Sequence, residues 1–280
     1  MQRWRRSAAA ILCALMLAGS LGGCDTSAPV FGQPDGPTIA VGVPRDLPGL
    51  GLLHDGDYSG FDVDVAQYVA KVLGYARKQI VFKSITPQTA QSMLDAGRVD
   101  MVVSSLPMDA RQRWGLQYAG PYFVARQDLL IRRDSRAAIT GVQSLADRIV
   151  CTARGSGADA NIVAAVHGVT IQIRDTYSQC VTALLAGEAD AVSADDAVIS
   201  GLMKSKGRQY LSMVGRPFAQ VPYAIRVHYG DPELSSKILA ALRSMVRDGS
   251  WRQAVETMQN DIHYTMDPAL NPPVMRSNTD

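Results

Sequence analysis

"GFDVDVAQYVAKVLG", residues 60–74, is the stretch that decides the fold class of this chain. Asp62 and Asp64 stand in its first turn, where acids favour a helix N-terminus, and Gly74 is a suitable C-terminal stop. "TIAVGV" (38–43), before a loop rich in Gly, Pro and Asp, is typical of a buried parallel strand. Strand, loop and helix together predict an α/β unit. The helix is predicted because apolar side chains recur at helical spacing, at Val65, Val69, Val72 and Leu73.

A short internal repeat indicates two such units. "AGRVDMV" (96–102) and "AGEADAV" (186–192) share the pattern A-G-x-x-D-x-V, and a helical stretch precedes each. Each predicts a helix closed by its glycine and then a buried strand. "RIVCTA" (148–153) matches "TIAVGV" as a strand that opens onto a Gly-rich loop. Two α/β lobes with the same order of strands and helices fit this pattern best.

The remaining periodic segments fit between and after the two units. "DLLIRR" (128–133) and "VPYAIRV" (221–227) bracket the second unit, which predicts two strands that cross between the lobes. Residues 231–258 are helical in pattern, with Asp231 at the start and Gly249 as a break.

The N-terminus predicts an export signal over residues 1–23. Residues 1–6 carry three arginines and no acid, and residues 8–18 form an apolar core too short to span a bilayer. Leu21 to Cys24 resemble the lipobox of bacterial lipoproteins, so we expect Cys24 to carry a lipid. The alternative is a plain secreted protein in which Cys24 is incidental.

Residues 24–37 are rich in Pro, Gly and small polar residues, and predict a flexible tether between lipid and domain. We therefore expect the protein to be exported and anchored by lipid on the outer face of the cell membrane. After the signal, no apolar run approaches the ~20 residues that span a membrane.

Charge and histidine spacing exclude several function classes. The formal charge is +2 with scattered basic residues, so the chain has no basic stripe that would suggest nucleic acid. The histidines are far apart, and the chain lacks a zinc spacing, a P-loop, G-x-S-x-G and G-x-G-x-x-G. We therefore expect a protein that is not an enzyme and that holds no metal or cofactor. We also expect it to be a monomer.

Cys151 and Cys180 are the two cysteines that follow the tether. An even pair in an oxidising compartment favours a disulfide, worth roughly 3–4 kcal/mol in the loop-entropy model. The alternative is two buried free thiols that pack as small apolar residues.

Polar loops follow the predicted strands, where open α/β sheets bind ligands. Together they supply groups for an anion and for a cation on two lobes, and a free amino acid carries both charges. Each loop alone also fits a helix N-cap or a solvated charge. The candidate binding residues are Asp46 in "VPRDLPG", Ser105, Arg111 and Arg113 in "SSLPMDARQRW", Arg154, Ser156 and Gly157 in "ARGSGADAN", and Asp195 and Asp196 in "SADDA".

On these residues the chain resembles the family 3 extracellular solute-binding proteins, which are the polar amino-acid-binding proteins of bacterial ABC importers. Residues 60–74 resemble the signature helix of the family, and the resemblance covers about residues 38–260. Within the family the chain is most similar to actinobacterial glutamine- and glutamate-binding lipoproteins, which also have cysteines at the positions of Cys151 and Cys180. The other segments that follow the family's order are "ITPQTAQSMLDAGRVDMVV" (85–103), "YAGPYF" (118–123), "SLADRIVCTARGSGADA" (144–160) and "DAVSADDAVISGL" (190–202).

The resemblance implies an α/β, two-lobed periplasmic-binding-protein fold of type II. Each lobe would be a mixed sheet flanked by helices, a two-strand hinge would join them, and the ligand would lie in the cleft. The implied first lobe comprises residues 38–127 plus 226–265, the second comprises 128–225, and 266–280 form a C-terminal tail.

The resemblance also implies how an amino acid would be held. An Arg of the first lobe takes the α-carboxylate, helped by the small-residue loop at Ser156 and Gly157, with Arg154 at a position that is often basic. An Asp of the second lobe takes the α-ammonium. In an alignment with the family pattern without gaps, the ammonium-binding Asp falls on Asp195, and Asp196 is then the neighbouring helix cap.

Two departures from the family pattern concern specificity. An ungapped count puts Gln112 where the carboxylate-binding Arg belongs, with Arg111 and Arg113 on either side. We favour Arg111, because "DAR" most resembles the usual ending of the loop. The aromatic residue that usually follows the first strand is replaced by leucines in "DLPGLGLL" (46–53).

The sequence therefore predicts a substrate-binding lipoprotein that captures an amino acid of the glutamate, glutamine, aspartate or asparagine group. Its partner would be the transmembrane permease of an ABC importer. The alternative is an extracytoplasmic amino-acid sensor or adhesin of the same fold. A permease gene beside the gene of this protein would favour transport over this alternative. A dehydratase-like enzyme is less favoured, because the sequence offers no acid–base pair.

Overall fold

The computed structural model describes residues 35–105, 116–228 and 230–277, in which strands and helices alternate. The helices are α1 (Phe61–Val72), α2 (Pro87–Asp95), α3 (Ala158–Ala165), α4 (Tyr177–Ala186), α5 (Asp196–Lys206), α6 (Pro232–Arg247) and α7 (Ser250–Ile262). The strands are β1 (Ile39–Val43), β2 (Asp46–Leu47), β3 (Gly51–His54), β4 (Asp57–Ser59), β5 (Ile80–Ser84), β6 (Met101–Val102), β7 (Leu116–Arg132), β8 (Ile149–Ala153), β9 (Thr170–Arg174), β10 (Ala191–Asp195), β11 (Leu211–Met213), β12 (Ala219–His228) and β13 (Arg276–Ser277).

The strands form one long mixed sheet in the order β5-β1-β6-β12-β7-β10-β8-β9, with β11 and β13 also paired to β7. At one end β1 is parallel to β5 and β6, and at the other β8 is parallel to β9 and β10. The antiparallel pair β7 and β12 joins the two ends. A small sheet, β2-β3-β4, follows β1. This is the two-lobed α/β fold that the sequence predicts.

We call the part built on β1, β5 and β6 with α1, α2, α6 and α7 the first lobe. The second lobe is the part built on β8, β9 and β10 with α3, α4 and α5. The residue boundaries given for the lobes above stay predictions.

The helix predicted over residues 60–74 is α1. Its apolar side is fully buried, with Phe61, Val65 and Val69 at most 1% exposed. Gly74 takes a φ of 98° just after the helix, a conformation that glycine adopts at low cost. The fold therefore begins as the local pattern predicts.

The internal repeat marks equivalent places in the two lobes. Helix α2 ends before Gly97 and leads to β6, while α4 ends at Gly187 and leads to β10. Both glycines have a positive φ, 61° and 78°, which closes the helix and turns the chain into the strand. The predicted helix–glycine–strand units are confirmed.

The crossing strands are longer than the two predicted segments. Strand β7 begins at Leu116 and pairs with β12 from Gln127 opposite Ala219 to Leu116 opposite His228. Aromatic residues bury this pair on one side. The ring of Phe123 lies 5.4 Å from that of Phe61 and 5.8 Å from that of Tyr223, measured between centroids, and these contacts fix the crossing strands on α1.

The disulfide between Cys151 and Cys180 is present, with a Cα–Cα distance of 5.4 Å. Both residues are 0% exposed, so the bond joins β8 to α4 inside the second lobe. It closes a loop of 29 residues, a length for which the loop-entropy model gives roughly 3–4 kcal/mol.

Part of the predicted C-terminal tail lies along β7. The side chain of Asn271 accepts from the backbone N–H of Val124 at 2.9 Å and donates to its carbonyl at 2.8 Å. Further on, Arg276 pairs with Gly120 as the start of β13. These bonds attach the chain end to a strand that joins the lobes.

The predicted signal, Cys24 and most of the tether lie outside the described residues, and so do Arg111 and Arg113. Among the helices of the described residues, none has the length and apolar character that a membrane span requires.

Candidate functional site

A cavity that is partly open to solvent lies where the two lobes face each other. It stands at the carboxyl ends of β1, β5, β6, β8, β9 and β10, the edge where α/β sheets bind ligands. The first lobe contributes Pro44, Asp46, Leu47, Ile85, Thr86, Pro87, Ser104 and Ser105, and the second contributes Ala153, Ser156, Asp175, Thr176, Tyr177 and Asp195.

Asp195 is a buried acid at the end of β10. The hydroxyl of Tyr223 donates to its Oδ2 at 2.9 Å, and no basic side chain among the described residues forms an ion pair with it. Burial raises the pKa of Asp195 to about 7, partly offset by the bond from Tyr223 and reinforced by the charge of Asp196. The site therefore presents a carboxylate that gains from a cationic ligand.

Asp196 has different surroundings. The sequence predicts a loop at "SADDA", but β10 runs through Asp195 and α5 begins at Asp196 without a break, so that prediction is wrong. The expected helix cap at Asp196 is also wrong, because the N-cap of α5 is Asp195 and Asp196 is the first residue of the helix. Asp196 accepts from the backbone N–H and the Nε of Arg126, and from the hydroxyl of Tyr264 at 3.0 Å. It does not line the cavity, and its charge is balanced by Arg126.

A polar corner follows β6. The backbone N–H and hydroxyl of Ser105 each donate to Oδ2 of Asp62 at 3.1 Å, and the hydroxyl of Tyr122 donates to Oδ1 at 2.7 Å. Burial raises the pKa of Asp62 to about 6 despite these bonds. The hydroxyl of Ser104 is buried on the cavity lining and has no hydrogen-bond partner within the described part of the chain. A polar ligand atom can satisfy it.

The small-residue loop of the second lobe reaches the cavity through Ser156. Its hydroxyl lies 3.1 Å from that of Thr152 and accepts weakly, at 3.4 Å, from the N–H of Ala158. Gly157 is the N-cap of α3 with a φ of 75° and is not part of the lining. Tyr177, which also lines the cavity, lies beside Ser156 and Thr152.

Arg154 lies beside the cavity rather than on its lining. Its Nε pairs with Oδ1 of Asp175 at 3.1 Å, and both side chains are about half exposed or more. Asp175 itself reaches the lining. Asp46, from the first lobe, is half-buried there, and burial raises its pKa. Asp46 has no basic ion-pair partner in the described ranges, so its charge is less balanced than that of Asp175.

The structure thus brings four predicted residues together on the cavity: Asp46, Ser105, Ser156 and Asp195. Gly157, Arg154 and Asp196 lie off the lining, and the two arginines of residues 106–115 are not described. Sequence reasoning missed the supporting residues, which are Asp62, Ser104, Tyr122, Tyr177 and Tyr223. A signal for Asp62 was its place on the apolar side of a helix, where an acid is out of pattern.

Fold and cavity define a two-lobed binding protein whose polar site lies between α/β lobes. Residues 39–259 match the model of the bacterial extracellular solute-binding proteins, family 3. The chain belongs to this family.

The names of similar proteins describe them as amino-acid-binding proteins. The glutamate-binding protein GluB of Corynebacterium efficiens is 30% identical, covering 77% of this chain and 76% of that protein. The ABC transporter glutamine-binding protein GlnH of Bacillus subtilis is also 30% identical, covering 78% and 79%. Among solved structures, an ancestral arginine-binding protein bound to glutamine has a TM-score of 0.72 and 28% identity, covering 79% of this chain and 97% of that one.

Proposed function

We propose that this protein is the amino-acid-binding subunit of an ABC importer, and that its ligand is an amino acid with a neutral amide side chain, such as glutamine. The observation that carries the proposal is Asp195, a buried carboxylate that faces the cavity and has no basic partner in the parts described. An α-ammonium group supplies the missing positive charge. The names of the relatives, one a glutamate-binding and one a glutamine-binding protein, support a ligand of the glutamate and glutamine group.

The α-carboxylate requires a counterpart on the other side of the cavity. The chain reaches residues 106–115 directly after the corner at Ser104 and Ser105, which lines the cavity. An arginine from this segment can bind a carboxylate bidentately, and Arg111 is our candidate. Ser156, next to the N-terminus of α3, offers a hydroxyl for the same group.

The proposal is tested by calorimetry of the mature protein against the twenty amino acids. We expect one or a few polar amino acids to bind with micromolar affinity or better, which corresponds to roughly 8 kcal/mol. Absence of binding to all twenty would refute the proposal.

Arg111→Ala is expected to weaken glutamine binding by about 2–5 kcal/mol, because the ligand carboxylate would be desolvated without a charge partner. Calorimetry measures the loss, and the far-UV spectrum should stay unchanged. Arg113→Ala is the matched control and should bind as wild type does. If Arg113→Ala is the damaging change, the roles of the two arginines are exchanged; wild-type affinity in both variants contradicts the carboxylate assignment.

Asp46 is expected to discriminate against acidic side chains. A glutamate side chain beside Asp46 would bring two carboxylates together in a half-buried site, whereas an amide N–H₂ can donate to it. Wild type should bind glutamine at least about tenfold more tightly than glutamate, and Asp46→Asn should narrow this ratio. Asp175→Asn is the control, because Arg154 already balances Asp175. An unchanged ratio in Asp46→Asn would contradict this assignment.

We also propose that Cys24 carries the lipid anchor and that a membrane permease receives the ligand. The name of the family describes its members as extracellular, and this agrees with the export signal predicted over residues 1–23. The lipobox-like residues 21–24 support the anchor, and the ABC transporter relative in Bacillus subtilis supports the permease.

A further inference from the structure

Two glycines of the second lobe touch the backbone of the first lobe. Gly201 lies in the middle of α5 and faces Pro48, in the turn between β2 and β3. Gly155 follows β8 and faces Pro87 and Gln88 at the start of α2. We call these the two glycine contacts.

At Gly201 the approach leaves no room for a side chain. A β-carbon built on this residue would lie 2.2 Å from the carbonyl oxygen of Pro48, far inside contact distance. The obstacle is a backbone atom, so no side-chain rotation relieves it. At Gly155 a β-carbon would lie 3.4 Å from Gln88 N, an ordinary contact, but its φ of 75° disfavours other residues.

Both contacts adjoin the cavity. Leu47, which precedes Pro48, and Pro87 line it from the first lobe, while Ser156, which follows Gly155, lines it from the second. The lobes therefore meet directly beside the ligand site. A separation of the lobes at these residues would break both contacts.

Helix propensity alone does not explain Gly201. Glycine in a helix interior is less favourable than alanine, and Gly201 is buried within α5. The carbonyl of Pro48 supplies the reason, because only a residue without a β-carbon lets α5 come this close.

We propose that Gly201, assisted by Gly155, sets how far the lobes close, and thereby sets ligand affinity without touching the ligand. The inference rests on the proposed function, since closure is driven by an amino acid in the cavity. A ligand that binds the closed form shifts the population towards it, and its apparent affinity falls when the closed form costs more free energy to reach.

Gly201→Ala tests the inference, with L-glutamine as the probe. We expect the dissociation constant to rise at least about tenfold, mainly through faster release, because the closed form becomes strained. Small-angle scattering should show compaction of wild type on adding glutamine and less compaction of the variant. Without ligand, the thermal midpoint of the variant should match or exceed that of wild type, since alanine favours the helix.

Ser205→Ala is the matched control, because it places alanine on the same helix at an exposed position. It should bind and compact as wild type does. If Gly201→Ala fails to fold, Gly155→Ala repeats the test at the other contact with a smaller expected effect. Wild-type affinity and compaction in a folded Gly201→Ala variant would overturn the inference alone. No binding by wild type would overturn the proposed function as well.

Discussion

Asp195→Asn is expected to weaken amino-acid binding by at least about a hundredfold and yet to stabilise the ligand-free protein at pH 8. Binding is lost because the ammonium of the ligand would be desolvated beside a neutral amide. Stability rises because Asp195 is a buried acid whose pKa is raised to about 7, so at pH 8 the free protein carries an unbalanced buried charge. The amide oxygen of asparagine can still accept from Tyr223. Calorimetry and thermal unfolding of the same samples measure both effects.

The sign of the stability change in Asp195→Asn follows from the pH dependence of unfolding. The folded pKa of about 7 exceeds the ordinary aspartate value of 3.8, so the folded state binds more protons between these values. Wild type therefore loses this contribution to stability as the pH rises towards 7. The thermal midpoint of the variant should exceed that of wild type by at least about 3 °C at pH 8, and the difference should shrink near pH 5.

Asp196→Asn is the neighbouring control with a smaller expected gain in stability. Burial raises the pKa of Asp196 as well, but the bonds from Arg126 and Tyr264 offset part of the rise. At pH 8 this variant should therefore gain less stability over wild type than Asp195→Asn gains. An Asp195→Asn protein that binds amino acids normally would remove the basis of the ammonium site.

Local patterns were enough to predict the frame of the fold. Helix α1 and the helix–glycine–strand repeats depend on residues within one or two turns of each other, so periodicity and glycine placement were sufficient. The length of β7 was not predictable in the same way. Its first half, with Gly120 and Pro121, is not typical of a strand, and it is extended because β12 and β13 pair with it.

The site was predictable at the strand ends and less so in its supporting contacts. Loops after β1, β6 and β8 identified Asp46, Ser105 and Ser156, because ligand sites collect at this edge. Asp62 was interpreted only as a helix-end acid, since its partners Ser105 and Tyr122 are far away in sequence. Asp195 and Asp196 are adjacent, and only the end of β10 decides which of them faces the cavity.

Affinity for glutamine is expected to fall roughly tenfold per pH unit below pH 7, and to be nearly constant above it. The ammonium site requires ionised Asp195, and free Asp195 has a pKa of about 7, so protons compete with the ligand. The dissociation constant should therefore rise about a hundredfold between pH 8 and pH 5. Calorimetry at pH 7 in buffers of different ionisation enthalpy should detect release of about half a proton per ligand bound.

The tyrosines that face Asp195 do not titrate in this range and so do not mask the effect. Burial raises the pKa of Tyr223 and of Tyr177 above its ordinary value, so both stay protonated. Asp62 is a separate buried acid with a pKa of about 6, held by Ser105 rather than by a ligand charge. Any pH dependence that survives in Asp195→Asn at high glutamine concentration reports on the other acids with raised pKa values near the cavity, Asp62 and Asp46. A wild-type affinity that is flat from pH 8 to pH 5, with no proton release, would exclude Asp195 as the partner of the ammonium group.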